Sequence, residues 1–69
     1  MHLTARESEV KVLLLRSLTN NEIAKELKIS AHTVKEHISS TLHKLGVRNR
    51  MELAMLEILR LKMEIGVAT

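Results

Sequence analysis

Apolar residues recur along the chain at intervals of three and four rather than two. They form the sets Val10, Leu13, Leu14 and Leu18, then Ile23, Ala24 and Leu27, then Val34, Ile38, Leu42 and Leu45, and a dense series from Met51 to Ile65. This is the helical period, and with no proline and glycine only at positions 46 and 66 it predicts an all-α chain. Each helix carries its own start signal. "TARE" sets Thr4 three residues before Glu7 and "TNNE" sets Thr19 three before Glu22, both matching the capping box; "NRME" sets Asn49 before Glu52 as a close variant, and Ser30 ahead of "AHTV" is a plain N-cap. The expected helices run over about 5–17, 20–28, 31–45 and 50–64.

The first helix is expected to bury Val10, Leu13, Leu14 and Leu18 and to turn Arg6, Glu9 and Arg16 outward. The second presents Ile23, Ala24 and Leu27, and only "KIS" separates it from the third. So tight a joint forces the two helices to cross steeply, with the small Ala24 allowing close approach, which is helix-turn-helix geometry. Gly46 suits a left-handed C-cap, letting Val47 fold back onto Leu42. The expected architecture is a four-helix bundle with a central helix-turn-helix, one domain over residues 1–69.

At ~100° per residue, Val34, Ile38, Leu42 and Leu45 share an arc of roughly 80° and mark the buried side of the third helix. Its other side carries His32, Lys35, Glu36, Ser39, Ser40 and His43, and the question is what that side touches. Zinc fits poorly: His32, His37 and His43 are spaced five and six apart rather than four, and His32 and His43, though aligned, lie ~16 Å apart along the axis. His37 reads as a boundary residue and His43 as solvated. Duplex DNA fits better, because Lys35 and Ser39 stand one turn apart and a lysine reaches guanine while a small hydroxyl admits the backbone. Glu36 would either accept from cytosine N4 or weaken binding by repelling phosphate. A merely solvated face remains the alternative.

Charge changes the picture moderately. The 69 residues carry eleven Lys and Arg against eight Glu, for +3, and residues 25–50 hold Lys25, Lys28, Lys35, Lys44, Arg48 and Arg50 against only Glu26 and Glu36. A basic cluster suits a polyanion, although a solvated surface explains it as well. There is no Phe, Tyr or Trp, so the stacking platforms of single-strand binders cannot be built. Nor is there cysteine or aspartate, which removes disulfides, thiolate metal sites and the usual phospho-acceptor. No apolar run approaches the ~20 residues of a membrane span and the start has no signal-peptide pattern, so a cytoplasmic protein is expected. Without a Gly-rich phosphate loop or a nucleophile with its base and orienting acid, no enzyme and no cofactor are expected.

The fourth helix carries more apolar surface than a small core can cover. Met51, Ala54, Met55, Ile58, Leu59, Leu61 and Ile65 sweep about 160°, and Leu53, Leu56 and Met63 extend it. Two readings compete: a helix buried beneath the first, or a twofold seam through Met51, Met55, Leu56 and Leu59 that makes a homodimer. A chain this small and unstapled favours a partner subunit.

"LTARESEV", "TNNEIAKEL", "IS-AHTVKEHI" and "LHKLGVRNRMELA" together resemble the DNA-binding domain of LuxR-type (LuxR/FixJ/NarL/GerE) transcription regulators, from about Leu3 to Leu61. The resemblance implies a bacterial regulator that binds double-stranded DNA as a dimer, with the third helix in the major groove and the fourth at the dimer contact. Carried over by position, it implies base contacts by Lys35, Glu36 and Ser39, and phosphate contacts by Asn20, Asn21, Ser30, Thr33, His37, Lys44 and Arg48. Structural roles compete at several of these: Thr33 as a cap, Lys44 at a helix C-terminus, Arg48 with Arg50 as a solvated pair. RNA polymerase is a further candidate partner. Members usually have Gly where this chain has Ser17, and commonly carry a receiver or ligand-binding domain ahead of this one, so a stand-alone regulator or an excised output domain is expected. A region-four-like sigma-factor domain, or a basic helical protein-interaction module, are the rival readings.

Overall fold

The structure, a computed structural model, describes residues 2–64. It contains four helices and, among the described residues, no strand: α1 Ala5–Leu15, α2 Asn20–Leu27, α3 Ala31–Lys44 and α4 Arg50–Glu64. The start signals act as read. Thr4 Oγ1 accepts from Glu7 N–H at 3.1 Å while the Glu7 carboxylate accepts from Thr4 N–H at 2.9 Å, and Thr19 and Glu22 repeat the exchange at 3.2 and 2.7 Å. Ser30 Oγ accepts from Thr33 N–H at 3.0 Å. At α4 the box is stretched by one residue: Asn49 Oδ1 accepts from Glu52 N–H at 2.9 Å, but Glu52 reaches back to the N–H of Arg48 at 2.7 Å.

Helices α1, α2 and α3 close with one device, and it ends them slightly before the expected 17, 28 and 45. Leu18, Ile29 and Val47 N–H donate back to Leu13, Ala24 and Leu42 carbonyls at 3.2, 3.1 and 3.1 Å, the long bond of the Schellman motif. The motif needs a left-handed residue just past the helix, supplied by Ser17 at φ 66°, Lys28 at φ 57° and Gly46 at φ 71°. For Ser17 and Lys28 this conformation brings the side-chain Cβ against the following carbonyl. Ser17→Gly is therefore expected to raise stability by about 1 kcal/mol, seen as an increase in Tm of about 4–8 °C in a thermal melt. An unchanged or lower Tm would show that Ser17 is not strained.

The core joins all four helices: Val10, Leu13 and Leu14 from α1, Ile23 from α2, Val34 and Ile38 from α3, and Leu53 from α4. Leu18, Ala24, Leu27, Leu42, Leu45 and Val47 pack around it. Thr41 is also completely buried, its hydroxyl donating to the His37 carbonyl at 2.7 Å. It lies seven residues after Val34, about 20° beyond that edge of the apolar arc of α3.

Helices α1 to α3 form the body, and α4 joins it mainly through Leu53, the one buried residue of that helix. The reading of α4 as a helix buried beneath α1 is overturned: Met51, Met55, Leu56, Ile58, Leu59, Leu61 and Met63 are all exposed, from 42% at Leu56 to 82% at Met63. Helical geometry explains this. Glu57, Arg60 and Glu64 fall within about 40° of the Leu53 direction, so the side of α4 turned to the body is polar beyond Leu53. There Glu57 lies 3.9 Å from Lys11 and also bonds Arg60, which reaches Glu64. Ile65, assigned to the same apolar arc, lies outside the described residues.

Candidate nucleic-acid interface

Helix α3 begins at the Ser30 cap and presents His32, Lys35, Glu36, Ser39 and His43 as exposed residues. Lys35, Glu36 and Ser39 fall within about 100° of one another on the helical wheel, opposite Val34 and Ile38, which seat α3 in the core. The face is thus held rigid from behind. Glu36 is not isolated: its Oε2 lies 3.6 Å from His32 Nε2, one turn earlier. Lys35 has no ion-pair partner among the described residues.

Pairing distinguishes among the basic residues, of which Arg16, Arg50 and Lys62 have no carboxylate within 4 Å among the described residues. Arg6, Lys11, Lys44, Arg48 and Arg60 each have a carboxylate within 4 Å, whereas Lys25, Lys28 and Lys35, all in the α2–turn–α3 unit, have none among the described residues. Of the basic stretch, the lysines without a carboxylate therefore sit on the helix-turn-helix, and Arg50, whose guanidinium bonds only neutral acceptors, opens α4. The four phosphate candidates at the helix starts are also there: Asn20 and Asn21 open α2, while Ser30 and Thr33 flank the first turn of α3. Ser30 and Thr33 hydroxyls bond each other at 2.8 Å, so the capping role assigned to Thr33 as an alternative is held by Ser30 with Thr33 as its partner. The N–H groups of Asn20, Asn21, Ala31 and His32 form no hydrogen bond among the described residues, and such donors favour anions.

Three candidates have internal partners. Lys44 Nζ lies 2.8 Å from Glu7 Oε1. Arg48 brackets Glu52 through Nε and Nη2 at 3.0 and 2.9 Å while remaining 88% exposed. His37 is half-buried at the edge of the core, as expected, and its carbonyl is taken by Thr41. Arg50 departs from the solvated reading: its guanidinium donates to the Leu18 carbonyl and, at 3.3 Å, to Asn20 Oδ1.

Glu7 does more than cap. It is buried at 4% exposure, and its carboxylate accepts from Thr4 N–H, from Ser40 Oγ at 2.6 Å and from Lys44 Nζ at 2.8 Å. The Lys44 ammonium first, then the Ser40 hydroxyl and Thr4 N–H, hold its pKa down at about 2, against the cost of burial. The start of α1 is thereby fastened to the last turns of α3. Ser40 was assigned to the outer face; it turns to Glu7 instead, and no local spacing foretold a contact across 33 residues.

The sequence is similar to those of known proteins. Residues 1–57 match the family model described as bacterial regulatory proteins, luxR family. The chain is 51% identical over 59 residues to the spore germination protein GerE of Bacillus subtilis, covering 86% of this chain and 78% of that one. It is 43% identical over 58 residues to the transcriptional regulatory protein LnrK of Bacillus subtilis, covering 84% of this chain and 26% of the relative. Against the HTH-type transcriptional regulator MalT of Yersinia pestis it is 44% identical over 50 residues, covering 72% of this chain and 6% of the relative. It thus spans most of the first relative and about a quarter or less of the others. No described helix is long and apolar enough to cross a membrane. The chain belongs to the luxR family of bacterial regulatory proteins, as a helix-turn-helix DNA-binding domain of transcription regulators and not an enzyme family.

Proposed function

We propose that this chain binds double-stranded DNA sequence-specifically as a homodimer and regulates bacterial transcription in the cytoplasm. The observation that carries the reading is the exposed α3 face, backed by the core, with Lys35 on it unpaired and the equally unpaired Lys25 and Lys28 in the helix and turn that precede it. In the major groove Lys35 donates to guanine, Glu36 accepts from cytosine N4, and Ser39 lies close enough to the base edges to select against bulk. Asn20, Asn21, Ser30, Thr33, His37 and Arg48 ring this face and serve the phosphates, which fix register without carrying sequence. Lys44 has the least to offer them, since its ammonium already bonds Glu7, but two of its three N–H donors remain. Unpaired cations matter most here, because a lysine held by its own carboxylate releases little counterion from DNA.

The dimer seam runs through Met51, Met55, Leu56 and Leu59. Met51 and Met55 point away from the body, and Leu56 and Leu59 border a largely apolar groove of about 440 Å³ that also contains Leu45, Leu53 and Met63, with Lys11, Glu57 and Arg60 at its edges. A second copy related by a twofold axis would cover this surface with the same residues. RNA polymerase is a further partner of a DNA-bound regulator, through surfaces left free by this arrangement.

Affinity measured over a salt series tests the reading. With about five phosphates neutralised per subunit, log affinity is expected to fall against log salt with a slope near −4 to −5 per subunit. Lys35→Ala is expected to cost about 1–3 kcal/mol on the preferred site and to relax one base position. A flat salt dependence would support the protein-interaction reading, and an equal loss on every sequence would make Lys35 a phosphate contact.

A further inference from the structure

We propose that Arg50 is a positioning residue for DNA binding, acting through Asn20 from behind the interface rather than touching DNA. The inference rests on the reading above, in which Asn20 meets the DNA backbone. Arg50 is the first residue of α4, is half-buried, and sends its guanidinium across 30 residues of chain to the start of α2. Nη2 donates to the Leu18 carbonyl and Nη1 to Asn20 Oδ1 at 3.3 Å. Leu18 and Asn20 flank the Thr19 cap, so a single planar group fixes both sides of the turn that launches the helix-turn-helix.

The consequence follows from the chemistry of an amide. Asparagine carries one acceptor and one donor end, which exchange places when the group flips. An anion requires the donor end, and an unfixed Asn20 would spend part of its time offering oxygen to a phosphate. Guanidinium has donors only and stays charged throughout the accessible pH range. Bonded to Oδ1, it holds the oxygen inward and leaves Nδ2–H to face outward beside the unbonded N–H groups of Asn20 and Asn21. Lysine offers a single nitrogen in place of the planar fork, so Arg50→Lys keeps the charge but loses the fixed two-nitrogen span of the Leu18 carbonyl and Asn20 Oδ1. The element carrying the self-association surface is in this way tied directly to the DNA contact.

The test is a double-mutant cycle on duplex affinity, with Tm measured for every variant and Lys35→Ala included as a reference. Asn20→Ala and Arg50→Lys are each expected to weaken binding about 3–10-fold on all sequences alike, and the double variant no further than the weaker single. Asn20→Asp is expected to keep or raise Tm, because it strengthens the pair with Arg50, yet to lose at least about 10-fold in affinity as a carboxylate meets phosphate. Additive losses in the cycle, with a salt slope lowered by about 1 in a charge-removing Arg50→Gln variant, would make Arg50 itself a phosphate ligand and overturn the proposal. So would normal binding by Asn20→Asp. If instead neither these variants nor Lys35→Ala altered binding, the DNA-binding face itself would be misassigned, a different failure from additivity.

Discussion

Leu53→Ala is expected to lower stability by about 3 kcal/mol, within the usual range for a buried leucine. In a domain of this size the corresponding fall in Tm is about 12–24 °C. The size of the effect follows from how α4 is attached. Leu53 is 1% exposed and is the one buried residue of the helix, while the neighbouring positions toward the body are Glu57, Arg60 and Glu64. Little else apolar replaces the lost contact, so the cavity frees the helix rather than being filled by its neighbours. Leu56→Ala, at a site already 42% exposed, is expected to cost less than half as much. A thermal melt distinguishes the two, and equal losses would mean that α4 packs through its whole length. Because α4 also carries the proposed dimer seam, Leu53→Ala is further expected to weaken self-association in sedimentation, an effect absent if the seam lies elsewhere.

Glu7→Gln is the second large effect, and its signature is in pH. The Glu7 carboxyl has its pKa at about 2 in the folded chain, against an ordinary value of 4.5. Above 4.5 both states are ionised and the favourable contacts of the folded carboxylate contribute fully. Between 4.5 and about 2 the unfolded chain takes up the proton first, so stability falls as the solution becomes acid. Glu22, Glu52 and Glu57 add to the same slope, held low chiefly by the Thr19 N–H, the Arg48 N–H and the Arg60 guanidinium respectively. Glu7→Gln keeps the shape but leaves Lys44 facing a neutral amide, and the expected result is a Tm at pH 7 lower by at least about 10 °C, with a shallower decline of Tm in acid. A variant that melts in parallel with the parent chain at every pH would remove Glu7 from its bracing role.

The parts of this molecule that were readable in advance are local ones. A cap and its N3 partner are three residues apart, so Thr4 with Glu7, Thr19 with Glu22 and Asn49 with Glu52, together with the plain cap Ser30, announce helix starts from the sequence alone. Helix ends were less clear, since a left-handed serine and a left-handed lysine look like any other residue, and only Gly46 betrays its conformation. Periodicity located the outward face of α3, yet it assigned Ser40 to that face and passed over Thr41, whose position seven after Val34 was the usable signal. The contacts joining Glu7 to Ser40 and Lys44, and Arg50 to Leu18 and Asn20, span 30 to 37 residues. No local rule encodes them. They decide which cations are free, which is why charge counting marked residues 25–50 as basic without separating Lys35 from Lys44.

Selection of bound duplexes from a random DNA pool at near-physiological salt, followed by sequencing, tests the central claim most directly. A dimer reading DNA through two α3 helices is expected to enrich two half-sites with centres about 10 bp apart, with Lys35→Ala relaxing one position in each. Retention of duplexes without any enriched motif, by binding that disappears as salt rises, would contradict it and leave only a non-specific basic surface.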